Sequence, residues 1–153
     1  MSVKEGYELS ETETSEGSRA SRIYRSRARP MVLLVDDDLD ARAMYRFYLK
    51  RMGCRVITAR DGLAALDKAV KFIPDVIVMD LLMPRMDGWE AAARLKRQRT
   101  TSHIPVIAVS AVQTSRDRAR AAGCDAFLAK PCSPELLWLE VRVLLDTPPG
   151  EKP

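Results

Sequence analysis

"MVLLVDDDLDARAMYRFYLKRMG", Met31–Gly53, runs five apolar residues into three aspartates and then into a stretch of helical spacing. A continuous apolar run of that length predicts a strand buried on both faces. Beyond it Ala43, Met44, Phe47 and Tyr48 recur near a 3.6-residue period, which predicts an amphipathic helix ending at Gly53. The alternation repeats outward along the chain. "CRVITA" precedes "DGLAALDKAVKF", "DVIVMD" precedes a loop and "DGWEAAARLKRQ", "IPVIAVSA" precedes "SRDRARAAG", and "DAFLAK" precedes "SPELLWLEVRVLL".

Strands alternating with helices of this length imply right-handed crossovers and a parallel sheet covered on both faces, so the strands are apolar throughout instead of at every second residue. The expected fold is α/β: a doubly wound, flavodoxin-like sheet of five parallel strands in the order 2-1-3-4-5. Pro74, Pro105 and Gly123 fall between the elements, where breakers belong. At 153 residues the chain has room for one core. Its expected organisation is an arm over residues 1–30, a folded domain over 31–146 and a short tail over 147–153.

The arm lacks apolar periodicity. Glutamates crowd its first half and Arg19, Arg22, Arg25, Arg27 and Arg29 its second, a composition that predicts disorder. No apolar run approaches the ~20 residues needed to cross a bilayer, and the N-terminus lacks the apolar centre of a secretory signal, so the expected compartment is the cytoplasm. The three cysteines, Cys54, Cys124 and Cys132, show no metal-ligand spacing and their odd number argues against a disulfide framework. His103 is the only histidine, and a loop or capping role is expected for it.

In open parallel sheets the functional crevice lies beyond the carboxyl ends of the strands where strand order reverses, here between the first and third. Those two strands end in aspartate: Asp36, Asp37 and Asp38 on one, Asp80 on the other. Carboxylates roughly 4 Å apart repel by about 4 kcal/mol at an effective dielectric near 20, so such a cluster calls for a counter-charge. Donors that are all oxygen favour Mg²⁺. Asp38 or Asp40 is placed to cap the following helix, which leaves Asp36, Asp37 and Asp80 for chemistry. The fourth strand ends in Ser110 and the fifth in Lys130, a hydroxyl and an ammonium suited to the oxygens of a transferring phosphoryl group.

The segments "VLLVDDD", "DVIVMDLLMPRMDGWE", "VIAVSA" and "FLAKP" resemble, in order and spacing, the receiver domains of response regulators in two-component signalling. The resemblance covers about Met31 to Leu145. It implies a non-enzymatic signalling switch in which Asp80 is the phosphoacceptor, Asp36 and Asp37 hold Mg²⁺ with Asp80, and the backbone carbonyl of Leu82 completes the protein ligands. Ser110, where the family more often has Thr, and Lys130 would attend the phosphoryl group. Phe127 falls at the family's aromatic switch position, and Pro131 at its usual cis-proline. Leu82 and Val112 fall where the family controls water access.

The implied partners are a histidine kinase or histidine phosphotransfer protein, contacting Ala41 to Tyr45 and the neighbourhood of Cys132, and a downstream target on the face between the fourth and fifth helices. The protein is expected to be a monomer or weak dimer. Two other functions are weighed. A small Mg²⁺-dependent aspartate-nucleophile phosphohydrolase needs a DxD pattern and a capping insertion, which "VDDDLDA" lacks. A nucleic-acid binder through the arginine arm would have no recognition helix beyond this fold.

Overall fold

The computed structural model describes residues 29–148 and residue 151. Most of the N-terminal arm, with the first four of its five arginines, therefore lies outside the described residues. Five parallel strands, β1 (Met31–Val35), β2 (Arg55–Ala59), β3 (Val76–Asp80), β4 (Val106–Ser110) and β5 (Ala126–Ala129), form one sheet in the order β2-β1-β3-β4-β5. The helices are α1 (Leu39–Arg51), α2 (Gly62–Phe72), α3 (Gly88–Arg97), α4 (Arg116–Ala121) and α5 (Pro134–Asp146), with a single 3₁₀ turn (Gln113–Ser115) before α4. None of the described helices is long and apolar enough to cross a membrane.

The apolar strands sort their side chains onto two faces. Val32, Leu34, Val76, Val78, Ile107 and Val109 pack with α1 and α5 through Tyr45, Leu49, Leu137, Val141 and Leu144. Leu33, Val35, Ile77, Met79 and Val106 pack with α2 and α3 through Ala65, Ala69, Ala91, Ala92 and Leu95. The fourth helix has only a small cluster beneath it, built on Leu81, Ala108 and Ala119 with Trp89 and Phe127 at its margin.

Four of the five helices start on a side-chain cap at the site-bearing end of the sheet, and α4 does not. Asp38, not Asp40, caps α1, accepting from the amides of Asp40 (2.8 Å) and Ala41 (3.1 Å). Asp61, Asp87 and Ser133 do the same for α2, α3 and α5. The helix expected after β1 is present, but its buried face is not the expected one. Tyr45 and Leu49 point inward, whereas Met44 and Phe47 are exposed. Tyr45 can be buried because its hydroxyl donates to the Cys132 carbonyl at 2.6 Å. Phe47 is left outside beneath the Arg51 guanidinium, 5.7 Å from its ring centroid. All three cysteines are free, and His103 lies in an exposed turn.

Candidate functional site

Register carries the acidic residues to one place. Val35 pairs with Met79, so the next residues, Asp36 and Asp80, leave neighbouring strands side by side at the switch point. Asp80 pairs with Val109 and Ser110 with Ala129, which brings Ser110 and Lys130 to the same rim. The Lys130 amide donates to the Ser110 carbonyl at 2.9 Å, and the Lys130–Pro131 bond is cis, as expected for Pro131.

Oxygens of Asp36, Asp37 and Asp80 lie within 4.8 Å of one another. Asp36 and Asp80 are buried, and Asp37 is exposed at the mouth. The Lys130 ammonium bridges the two buried carboxylates, 3.1 Å from Asp36 Oδ2 and 3.3 Å from Asp80 Oδ2. Their second oxygens serve local turns: Asp36 Oδ1 accepts from the Asp38 amide at 2.9 Å and Asp80 Oδ1 from the Leu82 amide at 3.0 Å. Burial pushes the Asp80 carboxyl above its ordinary value, against the opposing effects of the Leu82 amide and Lys130. Burial by itself would lower the Lys130 ammonium, but Asp80 and Asp36 outweigh it and hold Lys130 above its ordinary value. Three carboxylates facing one ammonium leave a net negative, all-oxygen pocket, whose donor set fits a hard divalent cation.

The loop leaving β3 is held tightly. A Cβ at Gly88 would stand 2.3 Å from the Asp80 carbonyl oxygen and 2.7 Å from Leu81 Cα, so only glycine lets α3 begin there. The Gly88 amide also donates to the Leu81 carbonyl at 3.0 Å. The segment leaving β4 is different. Ser110 is fully buried and its hydroxyl accepts from the Val112 amide at 3.1 Å. Phe127, one strand away, is half-buried with the Arg116 guanidinium 5.0 Å from its ring centroid. Leu82 and Val112 are both exposed beside the site.

A family model, the response regulator receiver domain, matches residues 32–142. The chain belongs to the response regulator receiver family. It is 39% identical over 108 residues to Protein PilG of Pseudomonas aeruginosa, covering 69% of this chain and 80% of that one. It is 38% identical over 104 residues to the polar-differentiation response regulator DivK of Brucella ovis, covering 67% and 85%. Of the response regulator PleD of Caulobacter vibrioides, 37% identical over 115 residues, it spans only 25%.

Among solved structures, the receiver fold superposes on chemotaxis response regulator CheY4 of Vibrio cholerae with a TM-score of 0.72 at 32% identity, covering 76% of this chain and 98% of that one. It also superposes on the receiver domain of sensor histidine kinase PA1611 from Pseudomonas aeruginosa, with a TM-score of 0.73 at 29% identity over 78% of this chain and all of that one. That domain carries a magnesium ion coordinated in its active site cleft.

Three contacts around this receiver's site have no counterpart in the sequence reading. Arg42 donates to the Asp36 carbonyl at 2.6 Å, Tyr45 holds the Cys132 carbonyl, and Arg85 pairs with Asp61. The Asp61-Gly62 start of α2 was visible as a helix signal, but nothing local marks its distant partner.

Proposed function

We propose that this protein is a phosphorylation switch whose receiver unit spans residues 31–146 and accepts a phosphoryl group on Asp80. The observation that carries the reading is the Lys130 ammonium bridging Asp36 and Asp80, within a three-carboxylate cluster on adjacent strand ends. Asp36, Asp37, Asp80 and the Leu82 carbonyl would hold Mg²⁺, which supplies neutralising charge for the phosphoryl oxygens.

An Asp80 oxygen attacks the phosphorus of a phosphohistidine on a histidine kinase or phosphotransfer protein. The new P–O bond forms as the P–N bond breaks, and the electron pair departs with the imidazole nitrogen. Lys130 turns from the Asp80 carboxylate to the phosphoryl oxygens, while Asp36 keeps it in place. Hydrolysis of the acyl phosphate returns the switch, and the exposed apolar side chains of Leu82 and Val112 restrict the approach of water.

The added charge, up to −2, draws the Ser110 hydroxyl inward, and Phe127 follows into the space it leaves. The α4–α5 face thereby changes shape for a downstream protein. Shifting such an equilibrium from 1:99 to 99:1 takes about 5.5 kcal/mol of preference for one state. Phosphodonor labelling should require Mg²⁺ and vanish in Asp80→Asn. Undiminished labelling of that variant refutes the assignment.

A further inference from the structure

Arg85 stands out in the loop that leaves β3. It is one of two described residues other than glycine with positive φ, at +67°. The other, Ile73, is the C-cap of α2, where a left-handed residue is a common way to end a helix. No helix ends at Arg85, and a left-handed backbone at a long side chain persists only where the surroundings impose it. What imposes it is visible: Arg85 Nη2 sits 3.1 Å from Asp61 Oδ2, and Asp61 is buried while it caps α2 through the Ala64 amide at 2.8 Å. The next residue, Met86, is buried against Gly62, where a Cβ would come within 2.8 Å of the Met86 carbonyl. "DG" at 61–62 is thus a dock for "RM" at 85–86, and the docked loop connects Asp80 and Leu82 to α3.

We propose that Arg85 is a positioning residue for the metal site. Its ion pair with Asp61 fixes the 81–87 loop, and through it the Leu82 carbonyl and the Asp80 carboxylate. This rests on the function proposed above. A guanidinium on the loop that follows two of the donors, Asp80 and Leu82, acts on a bound cation in one of two opposite directions. As a bystander it repels Mg²⁺, and its removal tightens binding. As a positioning group it preorganises the donors, and its removal weakens binding despite the lost repulsion, by ~10-fold for a support of this kind.

The test is calorimetric titration of the full chain with MgCl₂, alongside denaturant unfolding in chelator. Arg85→Ala and Asp61→Asn, the latter keeping an acceptor for the α2 cap, should each weaken Mg²⁺ binding about 10-fold. Their combination should be no worse than either alone, and Arg85→Lys should recover part of the loss. Arg85→Gly, which suits the backbone and lacks the charge, should bind as weakly as Arg85→Ala while unfolding at higher denaturant. Tighter or unchanged binding in Arg85→Ala, or wild-type binding in Arg85→Gly, overturns the inference alone. A wild-type chain that takes up no Mg²⁺ overturns the proposed function, and this inference with it.

Discussion

The two segments that leave the site from β3 and β4 are built in opposite ways. From β3, the chain is pinned by the Asp80–Leu82 turn, the Gly88–Leu81 hydrogen bond, the close approach of Gly88 to the Asp80 carbonyl and the Arg85–Asp61 pair. From β4, it passes through a 3₁₀ turn into a helix of six residues with one buried side chain, Ala119. That helix meets its neighbours through exposed arginines: Arg116 over Phe127 at 5.0 Å and Arg118 over Trp89 at 4.1 Å. The Trp89 indole N–H, at the start of α3, is buried with no hydrogen-bond partner among the described residues. Under the proposed function, the pinned segment is the one that would hold the metal donors, and the sparsely packed one is where a change of shape would be transmitted.

The largest effect should come from breaking the rigid side. Gly88→Ala forces a Cβ against the backbone of Asp80 and should cost about 3 kcal/mol in urea unfolding, the upper part of the usual range for overpacking. Asp117→Ala and Arg120→Ala, at the exposed positions of α4 outside its two cation–π contacts, should stay within about 0.5 kcal/mol. Saturating Mg²⁺ comes next. At a hundredfold excess over its dissociation constant it should stabilise the chain by about 2.7 kcal/mol, and Asp37→Ala, at an exposed position, should lose that gain without unfolding.

A smaller effect follows from the Asp80 carboxyl, which burial holds above its ordinary value. Its folded pKa exceeds its unfolded one, so the ionised group opposes folding above the folded pKa, and this opposition fades as pH falls through that value. In chelator, Asp80→Asn should therefore melt higher than wild type at neutral pH, with the gap closing on acidification. A flat difference across pH contradicts this. Smallest of all, Arg116→Ala and Arg118→Ala should each cost about 0.5–1 kcal/mol, as expected for exposed cation–π contacts. They should quicken amide exchange in α4 while leaving Mg²⁺ affinity unchanged, and a loss of affinity would erase the division between the two segments.

How far the sequence discloses this architecture depends on the range of the signal. The strands and the carboxylates at their ends are legible because an apolar run and its terminal charge are adjacent in "MVLLVDDD" and "DVIVMD", and strand alternation dictates the sheet that brings them together. The inward face of α1 is misread because Met44 and Phe47 outrank Tyr45 on hydrophobicity alone. What buries Tyr45 is a carbonyl 87 residues away. The arginine contacts of Arg42, Arg85, Arg116 and Arg118 are illegible for a similar reason, since any of the chain's many arginines would serve a solvated surface equally well. Ser110 and Lys130 are weak signals singly and become a site only through the β4–β5 register.

The most direct test is ¹⁹F NMR of the full chain with beryllofluoride, an acyl-phosphate mimic, with and without Mg²⁺. Bound fluoride resonances should appear only when Mg²⁺ is present. They should persist in Phe127→Leu and be absent in Asp80→Asn. Bound signal that survives in Asp80→Asn, or none at all in the wild-type chain, contradicts a phosphoryl site at Asp80.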